Sequence, residues 1–364
     1  MTSETTTHHP AQTAKQHATF FKQSGWLMIA SIGGGMLTWG VHFLSKSIPP
    51  AEYSVFGTLL MVTAVLPTMP LQMIFAAQTA SALATNRERQ LAGMVRLAFG
   101  CVFVIWLAAA VLVLALGLGA AGMVSGALAG MSVVMLLSVW RTRDLWRQPS
   151  EKIDGRALFK QVAPLMLGFG AFQFMFTSDT MFAQAYFTSE EMAPYVAAGT
   201  LSRALLWLVL PLAAVMFPKL VHSNAKSEKS NLLKIVLLGT AALAICGGLG
   251  LWLVGPIVVK LVYKTGYVAA TTALLPWYAA AMVPLALANV LVNDLMARAR
   301  FRAVPGIVAV AVGYGFALPY ILNHYALKLE TVLQTLGVFN CLLLAVCAWG
   351  AFGGSKPSVQ KSKV

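Results

Sequence analysis

The sequence predicts an all-α polytopic membrane protein with about ten transmembrane helices arranged in two bundles. Of its 364 residues, 58% are hydrophobic and only 10% are charged, against roughly 25% charged in a typical soluble domain. Apolar stretches of about 20 residues, the length that a helix needs to cross a bilayer core, recur along the chain. Too few charges remain to cover a soluble surface of this size. Soluble enzymes, DNA-binding proteins and disordered chains are therefore excluded.

The apolar stretches set the domain organisation. Each must be helical, because unpaired backbone amides are not tolerated in hydrocarbon. They lie near 25–45, 54–78, 97–117, 119–140, 161–184, 193–217, 232–254, 268–293, 303–322 and 331–352. We predict a disordered cytoplasmic tail at 1–24, a first bundle of four spans at 25–140, a cytoplasmic linker at 141–160, a second bundle of six spans at 161–352 and a cytoplasmic tail at 353–364.

The Lys and Arg residues predict the direction of the spans. Cytoplasmic loops of membrane proteins are enriched in Lys and Arg. With both termini in the cytoplasm, the outer segments hold only Lys46, Lys260, Lys264 and Lys328, and almost all other basic residues fall in inner segments. This distribution explains most of the net charge of +14, so no nucleic-acid partner is predicted.

Sites for catalysis, cofactors or metals are not apparent in the sequence. No outer loop is long, and there is no P-loop, HExxH or GxSxG motif. The tail residues His8 and His9 lack partners at metal-ligand spacing. The four cysteines lie within apolar runs, where they act as small hydrophobic residues. We therefore expect no enzyme, no cofactor and no metal.

Two ionisable residues inside predicted spans are the main candidate site. Asp179 lies near the outer end of the fifth span and Arg203 in the outer half of the sixth. Intramembrane charges are costly and commonly mark functional sites. Because a short turn joins the two spans, we expect the residues to lie at similar depths and to pair, facing a water-accessible, positively lined crevice. The alternative is an ion pair that only sets the register of two helices.

Other polar residues in the spans are weaker candidates. Gln72, Gln173, Asn289 and Asn293 each have the chemistry to hydrogen-bond a polar substrate, or equally to join two helices. Proline interrupts several spans, and broken helices are frequent in transporters. Aromatic residues near span ends predict anchors at the membrane interface, among them Tyr53, Tyr195, Tyr263, Tyr267 and Tyr278.

Two segments of the chain resemble each other, and several resemble a known family. Residues 47–67 and 186–211 both contain a short acidic turn, an aromatic residue, small residues and a span broken by proline, which suggests two related bundles. The stretch FKQSGWLMIASIGGGMLTWGVHFLSKSIPPAEYSVFGTLL resembles the first hairpin of Wzx-type polysaccharide flippases, in the superfamily of MATE exporters and MurJ lipid II flippases. Residues 158–221, including Asp179, resemble the start of the second lobe, and 286–307 resemble its asparagine-rich helix end and basic turn.

The resemblance implies a flippase in the bacterial cytoplasmic membrane that moves a polyprenyl-linked glycan by alternating access. Its partners would be that glycan and membrane lipid, with Arg203 as the contact to the phosphates and Asp179 as a coupling residue. The family usually has two full-sized lobes, whereas the first bundle here is shorter. This leaves open whether the chain acts alone, as a homodimer or with polysaccharide assembly partners. The alternatives are a MATE-like small-molecule exporter and a non-transporting membrane subunit of an exopolysaccharide machine.

Overall fold

The structure, a computed structural model, describes residues 49–65, 155–225, 232–263 and 265–353, with a few isolated positions between 132 and 143. These ranges are α-helical and contain no strand. The helices are α1 Pro50–Val65, α2 Gly155–Tyr186, α3 Ser189–Ala225, α4 Leu232–Val262, α5 Val268–Ala297, α6 Val304–His324 and α7 Leu329–Phe352, with 3-10 turns at Thr265–Tyr267 and Phe301–Ala303. Both chain ends and most of the first bundle lie outside the described residues, so the count of ten spans stays a prediction.

Four helices make the chain a multi-pass membrane protein. The segments Val236–Val262, Val268–Ala297, Phe301–His324 and Leu329–Phe352 are each long and apolar enough to cross a membrane. They overlap the last four predicted spans, and the main difference is that the first of them runs to Val262 rather than to 254. The helices α2 and α3, with 32 and 37 residues, cover the fifth and sixth predicted spans. Because α2 begins at Gly155, the end of the predicted linker 141–160 is helical.

Helix α5 forms the centre of this bundle, and α4 lies at its surface. In the most apolar window of α5, 67% of the residues are buried, against 22% in α4. Helix α5 packs against α3, α4 and α7, while α2 packs against α1 and α6. The Asn340 side-chain amide on α7 donates to the Ala281 carbonyl of α5 over 2.8 Å. This bond joins two neighbouring helices where lipid offers no alternative partner.

The outward face of α4 is apolar between the exposed Lys234 and Lys260 near its two ends. Its exposed side chains include Leu249, Trp252, Leu253, Ile257 and Leu261. A helix that is hydrophobic on every side is typical of a membrane span, because its outer face meets lipid rather than water. We therefore take this face of α4 as lipid-facing.

A tight basic turn joins α5 to α6 at the predicted inner end. Ala299 has a positive φ of 51°, which lets the Arg300 N–H reach the Leu295 carbonyl over 2.8 Å. The Arg300 guanidinium then donates from Nη1 to the Ala351 carbonyl at the end of α7, over 2.5 Å. In this way one turn holds the inner ends of α5, α6 and α7 together.

The turn between α2 and α3, at the predicted outer end, is fixed by a capping box. The Thr188 N–H and hydroxyl donate to Glu191 Oε2 over 2.9 and 2.8 Å, and the Glu191 N–H donates to Thr188 Oγ1 over 3.4 Å. The two hydrogen bonds from Thr188 lower the pKa of the Glu191 carboxyl. The cap fixes where α3 begins and hence the depth of the residues that follow.

Candidate functional site

Asp179 on α2 and Arg203 on α3 form a buried ion pair, which confirms the predicted pairing. Arg203 Nη2 lies 2.6 Å from Asp179 Oδ1. The same guanidinium donates from Nη2 to Thr180 Oγ1 over 2.8 Å and from Nε to the Phe176 carbonyl over 3.1 Å. Only 2% of the Arg203 side chain and none of the Asp179 side chain is exposed. The hydrogen-bond partners of Arg203 thus all lie on α2.

Two tyrosines complete the coordination of the carboxylate. The Tyr195 hydroxyl on α3 donates to Asp179 Oδ2 over 2.9 Å, and the Tyr278 hydroxyl on α5 makes a short hydrogen bond to the same oxygen. The two rings lie 5.1 Å apart between centroids. One carboxylate therefore joins α2, α3 and α5, and the central helix takes part through a single side chain.

Aromatic rings and a glycine shape the space around the guanidinium. The Arg203 Cζ atom lies 5.7 Å from the centre of the Phe176 ring and 5.6 Å from that of the Tyr278 ring, within the range of a cation–π interaction. A Cβ atom on Gly199 would lie 2.6 Å from Arg203 Nη1 and 2.8 Å from the Tyr278 hydroxyl oxygen. Glycine at this position is what allows α5 to approach the ion pair.

In the part of the chain that the structure describes, the ion pair does not face the expected crevice. We predicted that Asp179 and Arg203 face a water-accessible interior, but the two residues are 0% and 1% exposed, so this part of the prediction is wrong for the conformation described. The physical reason is that Phe176, Thr180 and the two tyrosines supply the partners that water would otherwise provide. A ligand or a proton can reach the pair only if α2, α3 or α5 moves.

The prediction of interfacial tyrosines is also wrong. Tyr53, Tyr195 and Tyr278 are at most 1% exposed, and Tyr263 and Tyr267 are buried as well. The position of a tyrosine near a span end does not distinguish an interface anchor from a buried donor, because the amphipathic ring suits both. The sequence contains one indication that Tyr195 belongs to the site, because this residue lies about two helical turns before Arg203 on the same helix. No pattern in the sequence pointed to Tyr278.

The remaining candidates lie apart from the ion pair. Gln173 is half-buried on α2. Asn289 and Asn293 are buried on α5, and the Asn293 amide donates to Asn289 Oδ1 over 3.1 Å and to its carbonyl over 2.7 Å. Asn289 follows Tyr278 by eleven residues, which is about 16 Å along a helix. The structure therefore does not join these residues into one site, and Gln72 lies outside the described residues.

The fold and the site define a multi-pass α-helical membrane protein with an ion pair sealed in its core. Among the described residues, no group of three or more His, Cys, Asp or Glu side chains is arranged to hold a metal ion. The chain matches no protein-family model, no curated protein and no solved structure.

Proposed function

We propose that the chain moves a polyprenyl-linked glycan across the bacterial cytoplasmic membrane by alternating access. The observation that carries this proposal is the sealed Asp179–Arg203 pair. An ion pair buried in a membrane is expensive, and replacing it by apolar residues of similar volume is often neutral or stabilising. Its presence at the junction of three helices is explained if the charges are needed in another state of the protein.

The chemistry of the substrate favours an arginine in this position. A carrier pyrophosphate must lose its hydration in the bilayer, and a guanidinium replaces that hydration with charge-assisted hydrogen bonds. In the closed conformation, the Asp179 carboxylate occupies the place that a phosphate would take. When α2 and α3 separate, the phosphate competes with Asp179 for Arg203. Gln173, Asn289 and Asn293 are then available to the sugar hydroxyls or to neighbouring helices.

The prolines supply a means of movement. Pro164 lies within α2, Pro256 within α4, Pro276 and Pro284 within α5, and Pro319 within α6. Each removes a backbone hydrogen bond and favours a bend. Pro164 lies before Asp179 in α2, and Pro276 lies just before Tyr278 in α5. A change in the bend of either helix therefore alters the distance between Asp179 and its partners. The likeness of 158–221 to the second lobe of Wzx-type flippases adds the substrate class.

A variant pair separates a role in transport from a role in folding. Asp179→Asn with Arg203→Gln removes both charges but keeps a hydrogen-bond acceptor for the tyrosines. The matched control is Asp294→Asn with Arg298→Gln, which neutralises another ion pair, 2.7 Å between Nε and Oδ1 at the inner end of α5. Both would be expressed in a bacterium lacking the chain, with surface glycan, membrane abundance and Tm as the readouts.

We expect the Asp179/Arg203 variant to reach normal abundance and to lose glycan export, while the Asp294/Arg298 variant keeps it. Export by the first variant at the level of the unmodified protein would refute the transport role of the pair. That result would favour a second function, a non-transporting membrane subunit of an exopolysaccharide machine. The observation that supports this alternative is the shorter first bundle predicted from the sequence, with four spans against six in the second.

A further inference from the structure

One short pattern occurs in two helices of the chain. Helix α1 begins with Ala51-x-Tyr53-x-x-x-Gly57-Thr58-Leu59, and α3 contains Ala193-x-Tyr195-x-x-x-Gly199-Thr200-Leu201. Both copies lie near the start of a helix at the predicted outer end. Five of the nine positions are identical, and the glycine and tyrosine keep the same separation, so equivalent faces of the two helices carry equivalent residues.

The two copies have different partners. In α3, Tyr195 binds Asp179, and Gly199 leaves room for Arg203 and Tyr278. In α1, the equivalent Tyr53 packs against Tyr263 and Tyr267 beside the α4–α5 turn, with ring centroids 5.9 and 6.4 Å away. The equivalent Gly57 lies so close to Val196 of α3 that a Cβ atom would overlap the valine methyl. The first copy therefore builds a contact between the two bundles.

Hydrogen bonds extend this contact across three helices. The Thr58 hydroxyl on α1 donates to Gln184 Oε1 on α2 over 3.1 Å. The Gln184 amide then donates to Ser189 Oγ at the start of α3 over 3.3 Å. We name this contact, formed by Tyr53, Gly57, Thr58, Gln184 and Val196, the outer latch. Val196 follows Tyr195 directly, so one turn of α3 carries both the latch and a hydrogen bond to the ion pair.

We propose that the outer latch is a gate, which holds the outer ends of the two bundles together and whose release opens the Asp179–Arg203 pair. When α1 separates from α3, Gly57 no longer packs against Val196. The outer part of α3 is then free to carry Tyr195 away from Asp179. The gate rests on the proposed alternating access, since a non-transporting subunit has no need to open. Its test is a measurement of conformation that needs no substrate.

The test uses the full chain with its four cysteines replaced by alanine. Cysteines at Thr58 and Gln184 replace the hydrogen bond between these side chains and report the distance between α1 and α2 through a short bifunctional methanethiosulfonate cross-linker in membranes, so the comparison tests the contact between Gly57 and Val196. Gly57→Leu should hold the latch open, because there is no space for a side chain beside Val196. The ratio of cross-linked to uncross-linked protein should then fall by about tenfold. Gly170→Leu in α2 is the matched control, since no atom lies within 4 Å of a Cβ there. It should cross-link like the parent.

A second pair of variants covers the case in which Gly57→Leu does not fold. Gly57→Ala should lower cross-linking by a smaller factor, and Val196→Ala added to it should restore the parent value by removing the overlapping methyl. Equal cross-linking in Gly57→Leu, Gly57→Ala and the parent would overturn the gate. Lower cross-linking without rescue by Val196→Ala would also overturn it, because the effect would then not act through this contact.

Glycan export in the same strains separates the gate from the proposed function. If the latch opens in Gly57→Leu as described but the parent exports no glycan, the gate stands and the proposed function fails. If the parent exports glycan and Gly57→Leu leaves the latch closed, the function stands and the gate fails. Where both hold, cross-linking Thr58→Cys to Gln184→Cys stops export, and a reductant that cleaves the cross-link restores it.

Discussion

Gly199 determines how closely α3 and α5 approach at the ion pair. Gly199→Ala places a methyl group 2.6 Å from Arg203 Nη1 and 2.8 Å from the Tyr278 hydroxyl oxygen, so the side chains that bind Asp179 must shift. Overpacking of this kind typically costs about 1–3 kcal/mol. Thermal unfolding in detergent should show a lower Tm. Gly170→Ala is the control, since its site is open and a helical Gly→Ala change stabilises by roughly 0.5–1 kcal/mol. Equal shifts in the two variants would contradict the crowding.

Arg203→Ala should destabilise the protein more than the neutral pair of substitutions. The single change leaves the Asp179 carboxylate buried without its cation, which typically costs about 3–5 kcal/mol. In Asp179→Asn with Arg203→Gln, no charge remains buried at this site. The measurement is the Tm of both proteins in the same detergent, and a single variant as stable as the double would show that water or another cation reaches the site.

At the scale of single residues, the sequence predicted half of the site. Opposite charges at similar depth on two spans joined by a short turn were enough to predict the pairing of Asp179 with Arg203. The tyrosine donors were not predicted, because Tyr278 is 99 residues from Asp179 in the chain and nothing in an apolar helix indicates which face meets a carboxylate. Closure was missed for the same reason, since the sequence shows the charges but not the side chains that seal them.

At the scale of elements, the cap of α3 gives a pH-dependent contribution to stability. Hydrogen bonds from Thr188 lower the pKa of Glu191 from its ordinary value of 4.5. A lowered folded-state pKa stabilises the protein above the unfolded-state pKa, and this stabilisation is lost as pH falls through the folded-state value. Glu191→Gln should therefore lower the free energy of unfolding at pH 7 by roughly a few tenths of a kcal/mol for so exposed a group, and this loss appears as a slightly lower Tm. The difference should shrink as pH falls below 4.5 and vanish once pH is below the lowered folded-state pKa of Glu191. A constant difference across this range would contradict the assignment.

The α5–α6 turn contains a backbone strain that glycine would relieve. Ala299 adopts a φ of 51°, a left-handed conformation that costs an L-residue roughly 1 kcal/mol. Ala299→Gly should raise the Tm. Ala297→Gly, two residues earlier in the last turn of α5, should lower it because glycine weakens a helix. Tm shifts of the same sign in both variants would contradict this, because they would show that the left-handed conformation of Ala299 is not a source of strain.

At the scale of the whole molecule, the spans were predicted more closely than their packing. The predicted span 268–293 corresponds to α5 at Val268–Ala297, because a long apolar run in lipid has no option but a helix. Helix α4 runs to Val262, beyond the predicted end at 254, since Pro256 lies inside the helix rather than ending it. Hydropathy ranks α4 first, yet α4 is the least buried of the four membrane helices and α5 the most. An apolar residue is equally suited to contact with lipid and to contact with protein. Hydropathy alone therefore could not identify α5 as the central helix.

The placement of α4 predicts how two of its positions meet their surroundings. Leu249 is 52% exposed and Val259 is fully buried, although both are apolar residues of one helix. A spin label at Leu249, in a bilayer, should collide often with oxygen, which concentrates in lipid, and rarely with a water-soluble nickel chelate. A label at Val259 should collide rarely with either, because α5 and its neighbours cover that face. Frequent nickel collisions at Leu249 would place the face in water, and oxygen collisions at Val259 as frequent as those at Leu249 would show that α4 is not packed on α5 as described.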